Sequence, residues 1–210
     1  MPARPWVLAT RSGGKLRELV PWFAARGVHA IGLAEAGLAP SHEEEAIEVH
    51  DSFEANALAK ARWYAARTGL PCVADDSGLA VDALGGAPGV RSRRFAADRG
   101  VVHPDGEDAA NNAAVLAALE ASGAAAPWTA RYLCVAAWCD GDGEAHARGE
   151  ATGRIVPVAR GAHGFGYDPH FVSDDLGRTF AEATLDEKAA VSHRARAFDA
   201  LMATLAGRRP

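Results

Sequence analysis

The chain is 210 residues long, 49% hydrophobic and 23% charged, with a formal net charge of −5. Such a length and mix fit one or two compact cores and exclude a disordered or fibrous chain. The acidic balance excludes a general attraction to nucleic acid or to an anionic membrane, so any phosphate must be gripped by local cations, which points to a small ligand.

Cys72, Cys134 and Cys139 form no CxxC pair and read as reduced core residues rather than zinc or redox ligands. The opening Met1 to Trp6 stretch lacks the apolar core of a signal peptide, and no apolar run approaches ~18 residues, so the expectation is a cytoplasmic protein without a membrane span.

Trp6 to Ala9 reads as a short buried strand, and Leu16, Leu19, Val20 and Phe23 recur on one helical stripe. Between them, Thr10 to Lys15 is a polar, glycine-containing turn that feeds a helix N-terminus, where N–H groups and the macrodipole favour anions. It reads as a phosphate cradle or, equally, as an ordinary turn with a solvated lysine. GxxxxGK[ST] is absent, so it is not a Walker A loop. The acidic run from Glu43 to Asp51 offers a metal-ligating carboxylate or is merely solvated, and its own residues do not single one out. Asp51 as N-cap with Glu54 at N3 predicts a capping box opening a helix to about Thr68, stopped by Gly69 and Pro71. Asn56 and Lys60 share a face of that helix and point at a ligand or at solvent.

Cys72 to Ala74 is predicted as a strand that ends in Asp75-Asp76-Ser77-Gly78. Paired carboxylates there suit Mg2+, which prefers hard oxygen ligands, yet the same residues make ordinary surface turns. Leu79 to Val81 follows, then an irregular loop at 85–89 and a helix from about Asp108 to Ser122. Thr129 to Cys139 and Glu144 to Gly153 form long antiparallel strands joined by the turn at 140–143.

In the loop from Gly161 to Pro169, three glycines frame Phe165, Tyr167 and Asp168. Backbone can approach a ligand there and an aromatic can stack on a base; alternatively the aromatics enter the core. Thr184 to Glu187 forms a capping box for a final helix to about Leu205. On one continuous helix His193 and Arg194 would point about 140° and 240° round from Lys188. Either a ligand meets more than one side of that helix, or some of these residues are structural. The predicted fold is a single α/β domain over 1–210, with a mixed β-sheet of long antiparallel strands flanked by helices.

Taken in order, VLATRSGGKLREL, SFEANALAKAR, GLPCVADDSGLAVDALGGAPGVRS, GFGYDPHF and EKAAVSHRARAF resemble the inosine triphosphate pyrophosphatase family, which hydrolyses deaminated purine nucleoside triphosphates. The resemblance implies two lobes around a central nucleotide cleft, a homodimer, and Mg2+-dependent release of pyrophosphate from ITP, dITP and XTP. It implies that Thr10, Arg11, Ser12, Gly13, Gly14 and Lys15 hold the triphosphate, with Lys15 and Lys60 as its cations. Glu48, five residues before Phe53, would serve the metal with Asp75 and Asp76, and Asp76 would also accept the proton of the attacking water. Ser77, Phe165, Gly166, Tyr167, Asp168, Lys188, His193 and Arg194 would contact the nucleotide, His193 or Arg194 donating to the keto oxygen at C6. Two positions depart from the family pattern: Ser12 stands where Asn is usual, and Arg91 where an aromatic is frequent. The competing enzyme reading is a septum-inhibitor-like pyrophosphatase for pyrimidine or modified nucleotides. A non-catalytic nucleotide sensor would not need the full carboxylate set.

Overall fold

In the computed structural model, which describes residues 4–207, six strands form one sheet in the order β2-β1-β3-β4-β5-β6. They are β1 (Trp6–Leu8), β2 (Ala30–Gly32), β3 (Cys72–Val81), β4 (Trp128–Cys139), β5 (Glu144–Ile155) and β6 (Phe171–Ser173). Strand β1 runs parallel to β2, with Val7 opposite Ile31, and parallel to β3, with Leu8 opposite Val73. Strands β4 and β5 are neighbours joined by the turn at 140–143, closed by the Asp140 N–H on the Gly143 carbonyl at 3.2 Å, which runs them antiparallel. The β5–β6 pair is also antiparallel, so the sheet is mixed, as predicted. Of the N-terminal stretch read for a signal peptide, residues 1–3 lie outside the described residues.

By packing, the chain divides into two units. The first holds the described residues up to Asp76, Cys134–Gly149 and those from Arg194 on; the second holds Ser77–Leu133 and Glu150–His193. In the first unit, strand alternation sends successive side chains to opposite faces. Val7, Cys72, Ala74, Val135 and Ala137 pack with Leu58, Ala61 and Tyr64 of α2 (Phe53–Thr68). Leu8, Val73, Cys134 and Ala136 pack with Leu19 and Phe23 of α1 (Gly13–Ala24) and with Phe198 and Leu201 of α5 (His193–Ala206). Phe23 meets Phe198 edge-on at 5.4 Å and 79°, a favoured aromatic geometry. In the second unit Leu79, Tyr132, Ala151 and Phe171 close over Val115 and Leu119 of α3 (Glu107–Ala121). No helix among the described residues is long and apolar enough to cross a membrane, and the three cysteines are free and buried.

Three predicted elements are corrected. Strand β3 does not end at Ala74: it runs without interruption through Asp75 and Asp76 to Val81, because Asp75 is buried among cations and needs no turn to reach water. Helix α2 is capped by Ser52, whose hydroxyl accepts the Ala55 N–H at 3.1 Å. The predicted Asp51–Glu54 box is therefore replaced by a cap one residue later, and Glu54 pairs with His146 at 3.3 Å. The final helix is two: α4 (Leu185–Val191) opens with the predicted Thr184–Glu187 capping box and stops at Ser192, whose ψ of 150° is extended, before α5 begins.

Candidate active site

In the first unit, the β1–α1 turn places Ser12 as N-cap, its hydroxyl accepting the Lys15 N–H at 3.3 Å, while Thr10 Oγ1 accepts the Ser12 N–H at 3.1 Å. The first turn of α1 carries no acid, so the positive end of the helix dipole is left uncompensated. Lys15 reaches across to β3, its Nζ 3.1 Å from the Asp75 carbonyl and 3.0 Å from Asp75 Oδ2. From α2, Lys60 donates to the same carbonyl at 2.7 Å and forms an ion pair with Glu48. Asn56, one turn earlier and buried, donates to Asp76 Oδ2 at 2.9 Å. The same amide accepts the His50 N–H at 3.0 Å and donates to the His50 carbonyl at 3.2 Å.

The adjacent carboxylates acquire opposite proton affinities. Burial pushes Asp75 up, but Lys15, Arg194 and Lys60 together outweigh it and hold this carboxyl well below the usual carboxylate range. For Asp76 burial prevails over Lys60, Lys15 and the Asn56 hydrogen bond, so its pKa is raised. Burial also opposes the charge on Glu48, but Lys60 overrides it and the net shift is downward. Lys60 itself is pushed down by burial and more than restored by Glu48, Asp75 and Asp76. Asp75 is thus a fixed charge that anchors cations, and Asp76 is the carboxylate suited to take up a proton.

Two predicted contacts of this unit are placed elsewhere. Arg11 does not point into the α1 turn; it grips Glu44 through two nitrogens, Nε at 3.1 Å and Nη2 at 2.7 Å, and donates to the Leu38 and Ala39 carbonyls at 3.0 and 2.9 Å. Arg194, expected beside the base, is buried in the first unit, where it pairs with Asp75 Oδ2 at 3.1 Å and with Glu18. The angular separation expected for Lys188 and Arg194 on one continuous helix does not apply, because the helix breaks at Ser192 between them.

The second unit holds the base-side candidates. Asp168, buried, accepts from Lys188 Nζ at 2.6 Å, the Phe165 N–H at 2.9 Å and the Tyr132 hydroxyl at 3.3 Å. Lys188 Nζ also lies 4.9 Å from the centroid of the partly exposed Phe165 ring. His193 stacks on Tyr132 at 4.5 Å and 8°. Tyr167 turns into the core and donates to the Ser92 carbonyl at 2.6 Å, the alternative in which an aromatic of this loop is structural. Both sides of the Gly166 residue are held by α3: Asp108 Oδ2 accepts its N–H at 2.8 Å and Asn112 Nδ2 donates to its carbonyl at 2.9 Å. Ser77 lies partly exposed on β3.

Sequence reasoning missed Glu18, Glu44, Ser92, Asp108, Asn112 and Tyr132. For three of them a helical spacing was the available signal: Glu18 is three residues after Lys15, and Asp108 and Asn112 are four apart. Nothing local marks Ser92 or Tyr132, whose partners are distant in sequence, and nothing within the acidic run 43–51 singles out Glu44.

Comparison with known proteins identifies the family of the chain. A family model described as the Ham1 family matches residues 6–204. A dITP/XTP pyrophosphatase of Burkholderia pseudomallei is 46% identical over 202 residues, covering 95% of this chain and 92% of that protein. Among solved structures, a HAM1 protein from Coxiella burnetii superposes with a TM-score of 0.79 at 35% identity, covering 98% of this chain and all 100% of that one. A nucleoside-triphosphatase, or dITP/XTP pyrophosphatase, from Mycobacterium abscessus has a TM-score of 0.67 at 41% identity over 94% of this chain and 98% of its own.

Proposed function

The chain belongs to the Ham1 family, and on that premise we propose that it hydrolyses deaminated purine nucleoside triphosphates, dITP, XTP and ITP, to the monophosphate and pyrophosphate. The observation that carries the reading is the cluster around β3, in which Lys15, Lys60 and the acid-free start of α1 stand beside a carboxylate of raised proton affinity.

Three cations in that cluster, Lys15, Lys60 and Arg194, are matched by four carboxyl groups, Glu18, Glu48, Asp75 and Asp76. It has no surplus positive charge, whereas a triphosphate brings about four negative charges that need neutralising as the bond breaks. A divalent cation fits this imbalance. The donors are hard carboxylate oxygens on Glu48 and Asp76, and no group of three His, Cys, Asp or Glu residues suited to a metal occurs among the described residues. That set suits Mg2+, which takes one or two carboxylates and fills the remaining positions with phosphate and water. When bound, Mg2+ supplies charge neutralisation along the phosphate chain.

The chain's own residues do the rest. Backbone N–H groups at the start of α1 receive phosphate oxygens, and Lys15 and Lys60 offset their charge. Asp76, one oxygen fixed by Asn56, takes the proton of a water that attacks the α-phosphorus; the bond to the bridging oxygen breaks and pyrophosphate leaves. Asp75 keeps Lys15 and Arg194 in place and stays ionised throughout. On the base side, Lys188 and His193 are donors suited to the keto oxygen at C6 of hypoxanthine or xanthine, and the amino group of adenine would set donor against donor. This reading places the enzyme in the cytoplasm as a homodimer. It is tested by measuring pyrophosphate release from dITP, XTP, ITP, ATP and GTP with and without Mg2+.

A further inference from the structure

Arg11 was expected on the phosphates, yet four of the five donors a guanidinium carries are engaged by protein: two on Glu44 and one each on the Leu38 and Ala39 carbonyls. The Arg11–Glu44 contact is the paired-nitrogen, planar kind that is strong for its class. Mutual hydrogen bonding raises the Arg11 pKa and lowers that of Glu44. Glu44 lies in the short helical turn His42–Ala46, whose end is closed by the Ile47 N–H on the Glu44 carbonyl at 3.2 Å. Ile47 is buried against the α2 core, and Glu43 in the same turn pairs with Arg67 of α2 at 2.6 Å. Glu48 follows immediately, and two residues beyond it the His50 backbone is locked by Asn56. Glu48 therefore lies between the His50 backbone locked by Asn56 and a turn held by Arg11, by Arg67 and by the buried Ile47.

We propose that Arg11 is a positioning residue: with Glu44 it straps the 38–48 segment to the β1–α1 turn and so holds Glu48 opposite Lys60. The strap ties the phosphate-side turn to the segment carrying a metal-side carboxylate, so ordering one orders the other. The inference rests on the proposed triphosphate hydrolysis for its kinetic consequence but not for its structural one.

The test compares full-length wild type, Arg11→Ala, Glu44→Ala, the double alanine variant and the charge swap Arg11→Glu/Glu44→Arg. With dITP as substrate, Arg11→Ala and Glu44→Ala are expected to raise the half-saturating Mg2+ concentration alike, by about fivefold or more. The double variant should be no worse than either single, because the two residues act as one unit, and the swap should recover part of the loss. Amide hydrogen exchange over 42–50 should speed up in both single variants and slow again in the swap. A raised KM for dITP in Arg11→Ala with Glu44→Ala unaffected would mean that Arg11 contacts phosphate directly, overturning the proposal. So would exchange over 42–50 that is unchanged in both. Should wild type itself not turn over dITP, the functional reading fails, and the exchange arm alone still decides the strap.

Discussion

Asp75 and Asp76 are one peptide apart, and the strand turns them into different chemical groups. Asp76 has its proton affinity raised by burial, so as a base it works only above that raised value. In the metal-free protein Asp76 should titrate above the ~3.9 of an ordinary aspartate, and with dITP and Mg2+ Asp76→Asn should lower kcat by about 10² to 10⁴. An NMR titration of the metal-free protein and steady-state kinetics of both proteins check this.

Asp75 moves the other way: its folded-state affinity for protons is lowered. Its contribution to stability is therefore present above the unfolded value near ~3.9 and lost as pH falls through the folded one. Asp75→Asn removes the buried counter-charge of Lys15 and one of the two carboxylates on Arg194, which costs about 3–5 kcal/mol and should appear as a lower urea midpoint at neutral pH. The pair itself was visible in the sequence, but its division of labour was not, because burial decides it. Arg194 was read toward the base for a related reason: its partners Glu18 and Asp75 lie 176 and 119 residues away.

At the scale of elements, the 161–168 loop shows how tightly one turn is specified. A Cβ on Gly164 would sit 2.1 Å from Asp168 Oδ2 at a backbone φ of +77°, so the side chain would strike the carboxylate that holds Lys188 and Tyr132. Gly166 shares the left-handed conformation, with φ +62°, but has nothing within 4 Å of its missing Cβ. Gly164→Ala should therefore lower kcat/KM for dITP by more than about tenfold, whereas Gly166→Ala should show only the ~1–2 kcal/mol strain of an L-residue in that region. Steady-state kinetics and thermal unfolding of the two variants separate these effects. The glycines were legible as a close-approach loop, but the carboxylate they approach belongs to the protein itself. The capping signal before α2 was legible to within one residue. The break at Ser192 was not, since Ser-His-Arg is compatible with a helix and the extended ψ is set by tertiary context.

At the scale of the whole chain, the mixed sheet could be read from two features, the apolar runs at 6–9, 72–74 and 79–81 and the Asp-Gly turn at 140–143. Two lobes were implied by the family resemblance, but the places where the chain crosses between the packed units were not legible. The chain passes between them inside β3, β4 and β5 and after the first residue of α5, within regular elements rather than in linkers. The phosphate-side and base-side residues sit in short local segments, while the units are assembled from distant ones. Selective hydrolysis of deaminated purine nucleotides is decided by kcat/KM for pyrophosphate release measured side by side on XTP, dITP and ATP with Mg2+. XTP and dITP should exceed ATP by at least about 10²; equal rates on all three, or release of orthophosphate in place of pyrophosphate, would contradict it.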